Sequence, residues 1–481
     1  MNYQWDRDRD TICAVSTPAG TGGVSIIRVS GPQAIVLTKK IAPFLPDKTE
    51  SHRIYFGSLI SLANLPIDEV LVSIFHQGKS FTGEETTEIS CHGSPSICEW
   101  ILQELISCGC RTADRGEFSF RSFMNGRLDL IQAEGVLQLV QSQSRQAAKQ
   151  GLRQLKGELS KVISKIESDL IYVMANIEAA IDFSTENLEV INRKEMISKL
   201  EDINHRIQNL LQTYQQGRWM VEGLRVVFSG APNVGKSSFF NLLLQEERAI
   251  VTSVPGTTRD VVDSTLILDG VRVLLSDTAG IRESNQQELD LAEKIGITRS
   301  LESQKDADIN LYLFDASSGL SDDDFNNLFK IDQSGLFLLG NKLDKSSLST
   351  LQLKEKVSLQ LAQRKFFKNE QELADFIDHR VLFTSTLEHK YRDQVFTLLK
   401  EFLKSSQLED ITVISQARHF DNLNRAGVHV EQARLAFEQQ AENEFIALDL
   451  KASLIAVQEI LGKRFDDQVM DQVFRQFCIG K

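Results

Sequence analysis

The sequence predicts a multidomain α+β and α/β protein, in which a doubly wound α/β domain is inserted into a helical domain that follows an N-terminal α+β domain. Three observations support this prediction. The chain has 481 residues, which is too long for one hydrophobic core. Short apolar runs bounded by turn residues open the chain, and apolar residues then recur every three or four positions. A block of alternating strand-like and helix-like segments interrupts the helical pattern.

The composition is that of a soluble globular protein, with 42% hydrophobic and 25% charged residues. The net charge of −13 argues against nonspecific coating of nucleic acid, so any RNA contact requires a local basic patch. The six cysteines are irregularly spaced, which favours reduced thiols over a disulfide framework. The first ten residues lack the apolar segment of a signal peptide, and we find no apolar run of membrane length. We therefore predict a cytoplasmic protein without membrane contact.

Changes in pattern suggest four segments along the chain. Residues 1–125 contain apolar runs that end at turn residues, and they form the predicted N-terminal α+β domain. Residues 126–222 and 406–481 have helical periodicity and form the two parts of the helical domain. Residues 223–405 alternate strands with helices and form the inserted domain.

The helical segments can be placed in more detail from their apolar spacing. One long helix is predicted to contain both Leu152 and Val173, and a second to run from Met196 to Tyr214. Near the end of the chain, five apolar residues are expected on one helix face: Phe445, Leu448, Leu454, Ile455 and Ile460.

The strongest motif begins where the predicted strand 224–229 ends. Residues 230–237 read Gly-Ala-Pro-Asn-Val-Gly-Lys-Ser, which matches the phosphate-binding P-loop pattern G-x-x-x-x-G-K-S. The glycines allow backbone N–H groups and the next helix N-terminus to point at phosphate oxygens. Lys236 is then expected to reach the β- and γ-phosphates, and the Ser237 hydroxyl to bind Mg²⁺.

Two further motifs follow in order, each at the end of a predicted strand. Asp277-Thr-Ala-Gly280 supplies a carboxylate for Mg²⁺ through water and an amide for the γ-phosphate. Asn341-Lys-Leu-Asp344 supplies a carboxylate that can accept two hydrogen bonds from the N1–H and 2-amino groups of guanine, a donor pair that adenine lacks. Ser385, after the strand 381–383, is expected in the loop that holds the base. Three motifs in this order exclude a chance glycine-rich turn and favour GTP over ATP.

The residues for hydrolysis differ from those of Ras-type small GTPases. Those proteins carry a glutamine after the Asp-x-x-Gly motif, whereas this chain carries Ile281, so another group must orient the attacking water. Positive charge at the developing phosphate must come from an arginine or a cation. The hydroxyl-rich segment 252–260 contains Thr258, which is the predicted switch ligand of Mg²⁺.

At this point the chain resembles, over nearly its full length, the bacterial tRNA modification GTPases that act on the wobble uridine (the TrmE/MnmE family). The resemblance rests on the nucleotide motifs and on five further segments, which are 22–28 (GGVSIIR), 81–84 (FTGE), 116–119 (GEFS), 125–130 (NGRLDL) and the terminal FCIGK. It implies a GTPase activated by potassium and by dimerisation of the inserted domain rather than by an arginine finger. The K⁺ ligands implied are Asn233, Thr252, Val254 and Thr257.

The resemblance also implies catalytic roles for Glu293, which would orient the water, and for Lys236. Motifs and resemblance together define the predicted GTP site, whose residues are Asn233, Val234, Gly235, Lys236, Ser237, Ser238, Thr252, Ser253, Thr257, Thr258, Asp277, Gly280, Asn341, Lys342, Asp344 and Ser385. The predicted Mg²⁺ ligands among them are Ser237, Thr258 and Asp277.

For the N-terminal domain the resemblance implies a folate-binding fold that also forms a homodimer. Arg28, Glu88, Arg127 and Lys481 occupy the positions of the family's ligands for 5-formyl- or 5,10-methylene-tetrahydrofolate. A carboxylate suits the pterin amines and cations suit the glutamate tail. Cys478 matches a cysteine that matters for modification in the family; a free thiol without a role is the alternative.

The resemblance implies a tRNA-modifying complex, a heterotetramer with an FAD-dependent partner subunit. It would add a carboxymethylaminomethyl or aminomethyl group to C5 of the wobble uridine of tRNA. One alternative is a GTP-dependent ribosome-assembly or RNA-binding switch without modification chemistry, although no basic RNA-binding module is evident. Another is a self-contained folate enzyme with a regulatory GTPase, for which the flavin partner would be dispensable.

Overall fold

The computed structural model describes residues 10–182, 192–244, 264–277, 307–388, 390–404, 412–464 and 467–481. Contacts divide the chain into two compact units, and each unit combines segments that are distant in the sequence. The first unit comprises Met1–Gln141, Lys149–Gln212 and Ala417–Lys481, and the second comprises Ser142–Ala148 and Thr213–Gln416. The finer division into four predicted segments stays a prediction.

Twelve strands lie in the described residues, and they are numbered here in chain order. They are β1 Ile12–Val15, β2 Gly22–Ser30, β3 Arg53–Ile60, β4 Pro66–Phe75, β5 Thr86–Gly93, β6 Arg111–Thr112, β7 Leu224–Gly230, β8 Ser264–Leu268, β9 Val271–Asp277, β10 Ile309–Asp315, β11 Leu336–Asn341 and β12 Val381–Phe383.

Sixteen α-helices lie in the same described ranges. They are α1 Ala34–Ile41, α2 Pro95–Cys108, α3 Glu117–Met124, α4 Leu130–Gln141, α5 Arg145–Leu155, α6 Glu158–Asp182, α7 Arg193–Gln212, α8 Tyr214–Glu222, α9 Lys236–Leu244, α10 Asp322–Leu328, α11 Thr350–Gln363, α12 Glu370–Arg380, α13 Lys390–Lys404, α14 Ala417–Glu438, α15 Asn443–Leu461 and α16 Asp467–Arg475. No helix in the described ranges has the length and apolarity that a bilayer crossing requires.

The first unit contains a six-stranded sheet in the order β3-β4-β5-β2-β1-β6. Its neighbours pair antiparallel except β1 and β6, which run parallel. Helices α1 and α2 cover one face, where Ile27, Val72, Ile89 and Ile101 are completely buried. Alternation along the strands places polar residues such as Glu88 on the opposite face. Phe118 of α3 packs on this face against Ile12 and Ala14 of β1, whereas its β3–β4 part carries exposed side chains.

The helical part of the first unit is built mainly from α6, α7, α14 and α15, which pack along their lengths. Apolar residues at spacings of three and four are buried in this contact, as the sequence predicts. The single long helix predicted through Leu152 is wrong. Gly157 adopts a left-handed φ of 76° and separates α5 from α6, and Leu152 lies exposed on α5.

The prediction for the face of α15 is also wrong. Ile460 is buried, whereas Phe445 and Leu448 are 62% and 68% exposed. The buried stripe contains Ile446 and Leu450 instead. The predicted set therefore combines residues from two faces of one helix.

The second unit contains a six-stranded sheet in the order β12-β11-β10-β7-β9-β8, parallel except for β8. Helices cover both faces, since Phe239 and Leu399 pack on one side while Phe325 and Val357 pack on the other. The predicted doubly wound fold is confirmed. The strand order reverses at β7, which lies between β9 and β10, and ligands of such sheets bind at the carboxyl ends of strands near this reversal.

Candidate functional site

The loop after β7 has the backbone geometry of a phosphate cradle. Gly230 and Gly235 have φ values of 131° and 97°, and Asn233 is also left-handed with φ 60°. A Cβ atom on Gly230 would lie 2.0 Å from the Leu313 carbonyl oxygen, and one on Gly235 would lie 2.4 Å from Asn341 Nδ2. Both positions therefore require glycine for conformation and for space.

Lys236 begins α9, and its side chain turns back over this loop. Its Nζ donates hydrogen bonds to the carbonyl oxygens of Gly230, at 2.9 Å, and Ala231, at 2.8 Å. The residue is only 9% exposed, so the ammonium group is fixed beside the loop. Ser237 and Ser238 follow in the exposed first turn of α9, while Val234 is buried. The helix N-terminus and Lys236 give this loop the positive potential that suits phosphate.

The residues predicted to recognise guanine lie at the end of β11, next to the same loop. Asn341 is 1% exposed, and its Nδ2 donates to the Val234 carbonyl oxygen at 2.8 Å. Its Oδ1 is buried and has no hydrogen-bond partner among the described residues. Ser385 Oγ donates to Asp344 Oδ1 at 2.6 Å, which brings the two predicted base contacts together. The phosphate loop and the base motif thus form one continuous site.

A residue that the sequence motifs did not include also belongs to this region. Asp315, the last residue of β10, forms an ion pair of 3.0 Å with Lys342. The only sequence signal was its position at a strand end. Burial raises the pKa of the Asp315 carboxyl, but hydrogen bonds from Ser317 and Lys342 outweigh burial and lower the pKa below its usual value.

Several predicted site residues lie outside the described residues, namely Thr252, Ser253, Val254, Thr257, Thr258, Gly280 and Glu293. Asp277 ends β9 with its backbone paired to Phe228, close to the start of the phosphate loop, although its side chain is outside the described set. A serine hydroxyl at the start of α9 and a carboxylate residue at the end of β9 are oxygen donors of the type that Mg²⁺ prefers. Of the four predicted K⁺ ligands, Asn233 alone is described, and it is exposed on the loop.

The N-terminal sheet carries a second group of predicted site residues. Arg28 and Glu88 are opposite each other on β2 and β5, and Arg28 Nε donates to Glu88 Oε1 at 2.9 Å. The Arg28 guanidinium carbon lies 5.7 Å from the ring centre of Phe81 and 5.5 Å from that of Phe118. These two aromatic residues were not predicted from the sequence, because their distance from Arg28 along the chain conceals the contact.

The other two predicted cations of this group belong to neighbouring segments of the first unit. Arg127 Nη1 donates to the Gly78 carbonyl oxygen at 3.3 Å, at the base of the loop that contains Phe81. Lys481 follows a short bridge between Ile479 and Arg115. A Cβ atom on Gly480 would lie 2.2 Å from the Val15 carbonyl oxygen, so this segment runs directly against β1.

The 78–84 loop and α3 are joined by a buried ion cluster that the sequence did not reveal. Arg121, 6% exposed, donates to Asp10 Oδ1 at 2.6 Å, Glu84 Oε1 at 3.1 Å and Glu117 Oε1 at 3.0 Å. Burial lowers the pKa of Arg121, but the surrounding carboxylates outweigh burial and raise it. The cluster therefore fixes the 78–84 loop, which contains Phe81, against α3, which contains Phe118. Cys478, also predicted as a functional residue, is exposed.

Comparison with known proteins gives consistent matches over nearly the whole chain. The profile described as GTP-binding protein TrmE N-terminus matches residues 11–127, and the MnmE helical domain profile matches residues 130–478. The tRNA modification GTPase MnmE of Bdellovibrio bacteriovorus is 49% identical, covering 99% of this chain and 98% of that protein. The tRNA modification GTPase MnmE of Natranaerobius thermophilus is 37% identical, covering 98% of this chain and 99% of that protein.

Similarity to solved structures is much weaker. Era from Aquifex aeolicus bound to GDP·AlF4⁻ is 20% identical with a TM-score of 0.26, covering 43% of this chain and 66% of that chain, which is too weak to bear on the fold. The near full-length relatives decide the assignment. This chain belongs to the MnmE family of tRNA modification GTPases.

Proposed function

We propose that this protein hydrolyses GTP as a subunit of a complex that adds a carboxymethylaminomethyl or aminomethyl group to C5 of the wobble uridine of tRNA. The observation that carries the proposal is the hydrogen bond between Asn341 and Val234, which joins the base motif to the phosphate loop. The relatives named tRNA modification GTPase support the tRNA part of the proposal.

In the proposed reaction, water attacks the γ-phosphorus of GTP, the bond to the bridging oxygen breaks, and GDP and phosphate leave. Lys236 and the loop N–H groups bind the phosphate oxygens and stabilise the charge that develops there. Asp344 accepts the two guanine hydrogen bonds, with Ser385 fixing its carboxylate. Ser237, Thr258 and Asp277 would hold Mg²⁺, which neutralises phosphate charge when bound. Glu293 is proposed to orient the attacking water.

We further propose that K⁺, held by Asn233, Thr252, Val254 and Thr257, supplies the positive charge that an arginine finger supplies elsewhere. The inserted domains of two copies would come together during this step. Replacing KCl by NaCl is expected to lower kcat about tenfold or more, because the smaller ion does not fit the same oxygen ligands. Initial rates of phosphate release at equal ionic strength, with choline chloride as the control, measure this effect. Equal rates in KCl and NaCl would exclude the cation site.

The surroundings of Arg28 support a tetrahydrofolate derivative as the second ligand. Phe81 is 36% exposed beside a guanidinium group, which suits a flat heteroaromatic ring. Glu88 can accept hydrogen bonds from pterin amines, and Arg127 and Lys481 supply cations for the glutamate tail. We propose 5-formyl- or 5,10-methylene-tetrahydrofolate, with the methylene form as the carbon donor, and a modification role for the exposed Cys478.

The exposed β3–β4 part of the N-terminal sheet, on the face opposite α1 and α2, supports homodimerisation through this domain. Phe56 and Leu71 are opposite each other on β3 and β4 and are 67% and 45% exposed, and Ile54 on the same face is 62% exposed. Contiguous exposed apolar residues of this kind are typical of protein contacts. We propose a homodimer that joins an FAD-dependent partner subunit in a heterotetramer, acting on tRNA in the cytoplasm.

The proposal is tested in a bacterial strain that lacks the gene and carries wild-type, Lys236→Ala or Glu88→Gln protein. Mass spectrometry of tRNA nucleosides measures wobble modification, and the purified proteins are assayed for GTP hydrolysis. Lys236→Ala is expected to lower kcat/KM about 100-fold or more and to abolish modification. Glu88→Gln changes the proposed folate site, which is separate from the GTP site. It is therefore expected to abolish tRNA modification while GTP hydrolysis continues. Unchanged wobble nucleosides in the gene deletion would instead favour a ribosome-assembly switch.

A further inference from the structure

Asp315 is an acidic residue beside the nucleotide site to which no role has been given so far. Its Oδ2 accepts from Lys342 Nζ at 3.0 Å. Its Oδ1 accepts from the Ser317 backbone N–H at 3.0 Å and from the Ser317 hydroxyl at 2.6 Å. Both carboxylate oxygens are therefore engaged, and the side chain has one defined orientation.

The sheet places Asp315 against the base motif. Asp315 and Asn341 are register partners at the carboxyl ends of the parallel strands β10 and β11. The Ala316 N–H donates to the Asn341 carbonyl oxygen at 2.8 Å, which extends the pairing beyond the strand ends. The next residue, Lys342, lies within reach of Asp315 because of this register, although the two are 27 positions apart in the sequence.

Lys342 has an unusual backbone conformation that directs its side chain. Its φ of 62° and ψ of 37° are left-handed, a region that residues with a side chain rarely adopt. Its side chain is 28% exposed and is therefore partly accessible. Within the part of the chain that is described, its recorded ion-pair partner is Asp315. A lysine held at its ammonium end presents its stem as an apolar surface.

We propose that Asp315 is a positioning residue for nucleotide binding, which anchors the Lys342 ammonium so that the lysine stem forms one wall of the guanine pocket. This inference rests on the proposed GTP site and adds a determinant to it. A free lysine side chain loses much of its rotamer freedom when a ligand packs against it. Because Asp315 orders the stem in advance, the nucleotide binds without that loss.

The test compares the purified full chain with Asp315→Asn, Lys342→Met and the double variant. Titration with a fluorescent GDP analogue gives Kd, and steady-state hydrolysis gives kcat and KM. Asp315→Asn is expected to raise Kd and KM about tenfold, while kcat at saturating GTP changes less than twofold. Lys342→Met retains the stem without its anchor, and it is expected to raise Kd and KM by the same factor. The Kd of the double variant is expected to be no higher than that of either single variant.

Ser317→Ala is the matched control, since it removes a hydrogen bond to the same carboxylate and leaves the Lys342 ion pair intact. Its Kd is expected within twofold of wild type. The inference would be overturned if Asp315→Asn bound the nucleotide with wild-type affinity. It would also be overturned if the Kd of the double variant rose by the product of the two single-variant factors. Should Asp315→Asn fail to fold, Lys342→Met with wild-type affinity would overturn it equally. A wild-type protein that binds no guanine nucleotide would overturn the proposed function, and this inference with it.

Discussion

Asp344→Asn is expected to change the nucleotide preference from GTP to xanthosine triphosphate. In the proposed site the Asp344 carboxylate accepts from the guanine N1–H and 2-amino groups, whereas an asparagine amide would present an N–H₂ group to that amino group. Xanthine carries a carbonyl oxygen at this position, so the amide pairs with it. Sites built on such hydrogen bonds reject the mismatched analogue by about 10⁴-fold, and we expect a loss of GTP affinity of that order.

Competition titrations of GTP and xanthosine triphosphate against a fluorescent nucleotide measure this change. Ser385→Ala is the matched control, because it removes the 2.6 Å hydrogen bond to Asp344 and leaves the carboxylate in place. It is expected to weaken GTP binding about tenfold, without inversion of the preference. An Asp344→Asn protein that still prefers GTP would contradict the assignment of the base site.

Glu134→Gln is expected to destabilise the first unit by about 3–5 kcal/mol. The Glu134 side chain on α4 is 3% exposed and accepts from Arg418 at 2.8 Å and from His419 at 2.8 Å. The substitution removes the counter-charge of Arg418, whose side chain is 19% exposed, and a hydrogen-bond partner of His419, which is 1% exposed. The midpoint and slope of urea unfolding, followed by circular dichroism, give the change in unfolding free energy.

The effect of Glu134→Gln should depend on pH. Burial raises the pKa of Glu134, but the charges of Arg418 and His419 outweigh burial and lower the pKa below its usual value. A lowered folded-state pKa stabilises the protein above the unfolded pKa of about 4.3 and loses that contribution as the pH falls through the folded value. The difference in unfolding free energy between Glu134→Gln and wild type should therefore be largest at neutral pH and should decrease below about pH 4.

An exposed ion pair in the same unit provides the control for this prediction. Glu158 pairs with Arg153 at 2.7 Å, and the two side chains are 37% and 30% exposed. Glu158→Gln is expected to change the unfolding free energy by about 1 kcal/mol or less. Equal effects of the two substitutions would show that burial of Glu134 does not govern its contribution.

The sequence was most informative where a short segment determines its own geometry. The loop from Gly230 to Lys236 was predicted because its glycines and lysine follow directly from one strand. Ser385 was placed by the same argument, from its position after a strand. The pairing of Asp315 with Lys342 could not be predicted, because it depends on the register of two parallel strands.

Helix boundaries and buried helix faces were predicted less well from the sequence. Apolar spacing continues across Gly157, so periodicity alone joined α5 to α6, and only the left-handed φ of this glycine separates them. On α15 the apolar residues lie on two faces, and spacing does not indicate which face is buried. The ion cluster of Arg121 was also hidden, since Asp10 is 111 positions away in the sequence.

The split arrangement of the helical part has a consequence for synthesis on the ribosome. Asn204 on α7 donates to Glu431 on α14 at 3.1 Å, across 227 positions of sequence. At about 5–20 residues per second, translation delays this contact by roughly 10–45 s. During that interval the apolar side of α7, with Ile203 and Ile207, has no partner from α14, while the α/β sheet in between can fold first. We therefore expect the nascent chain to need chaperone protection at the apolar side of α7 during this interval.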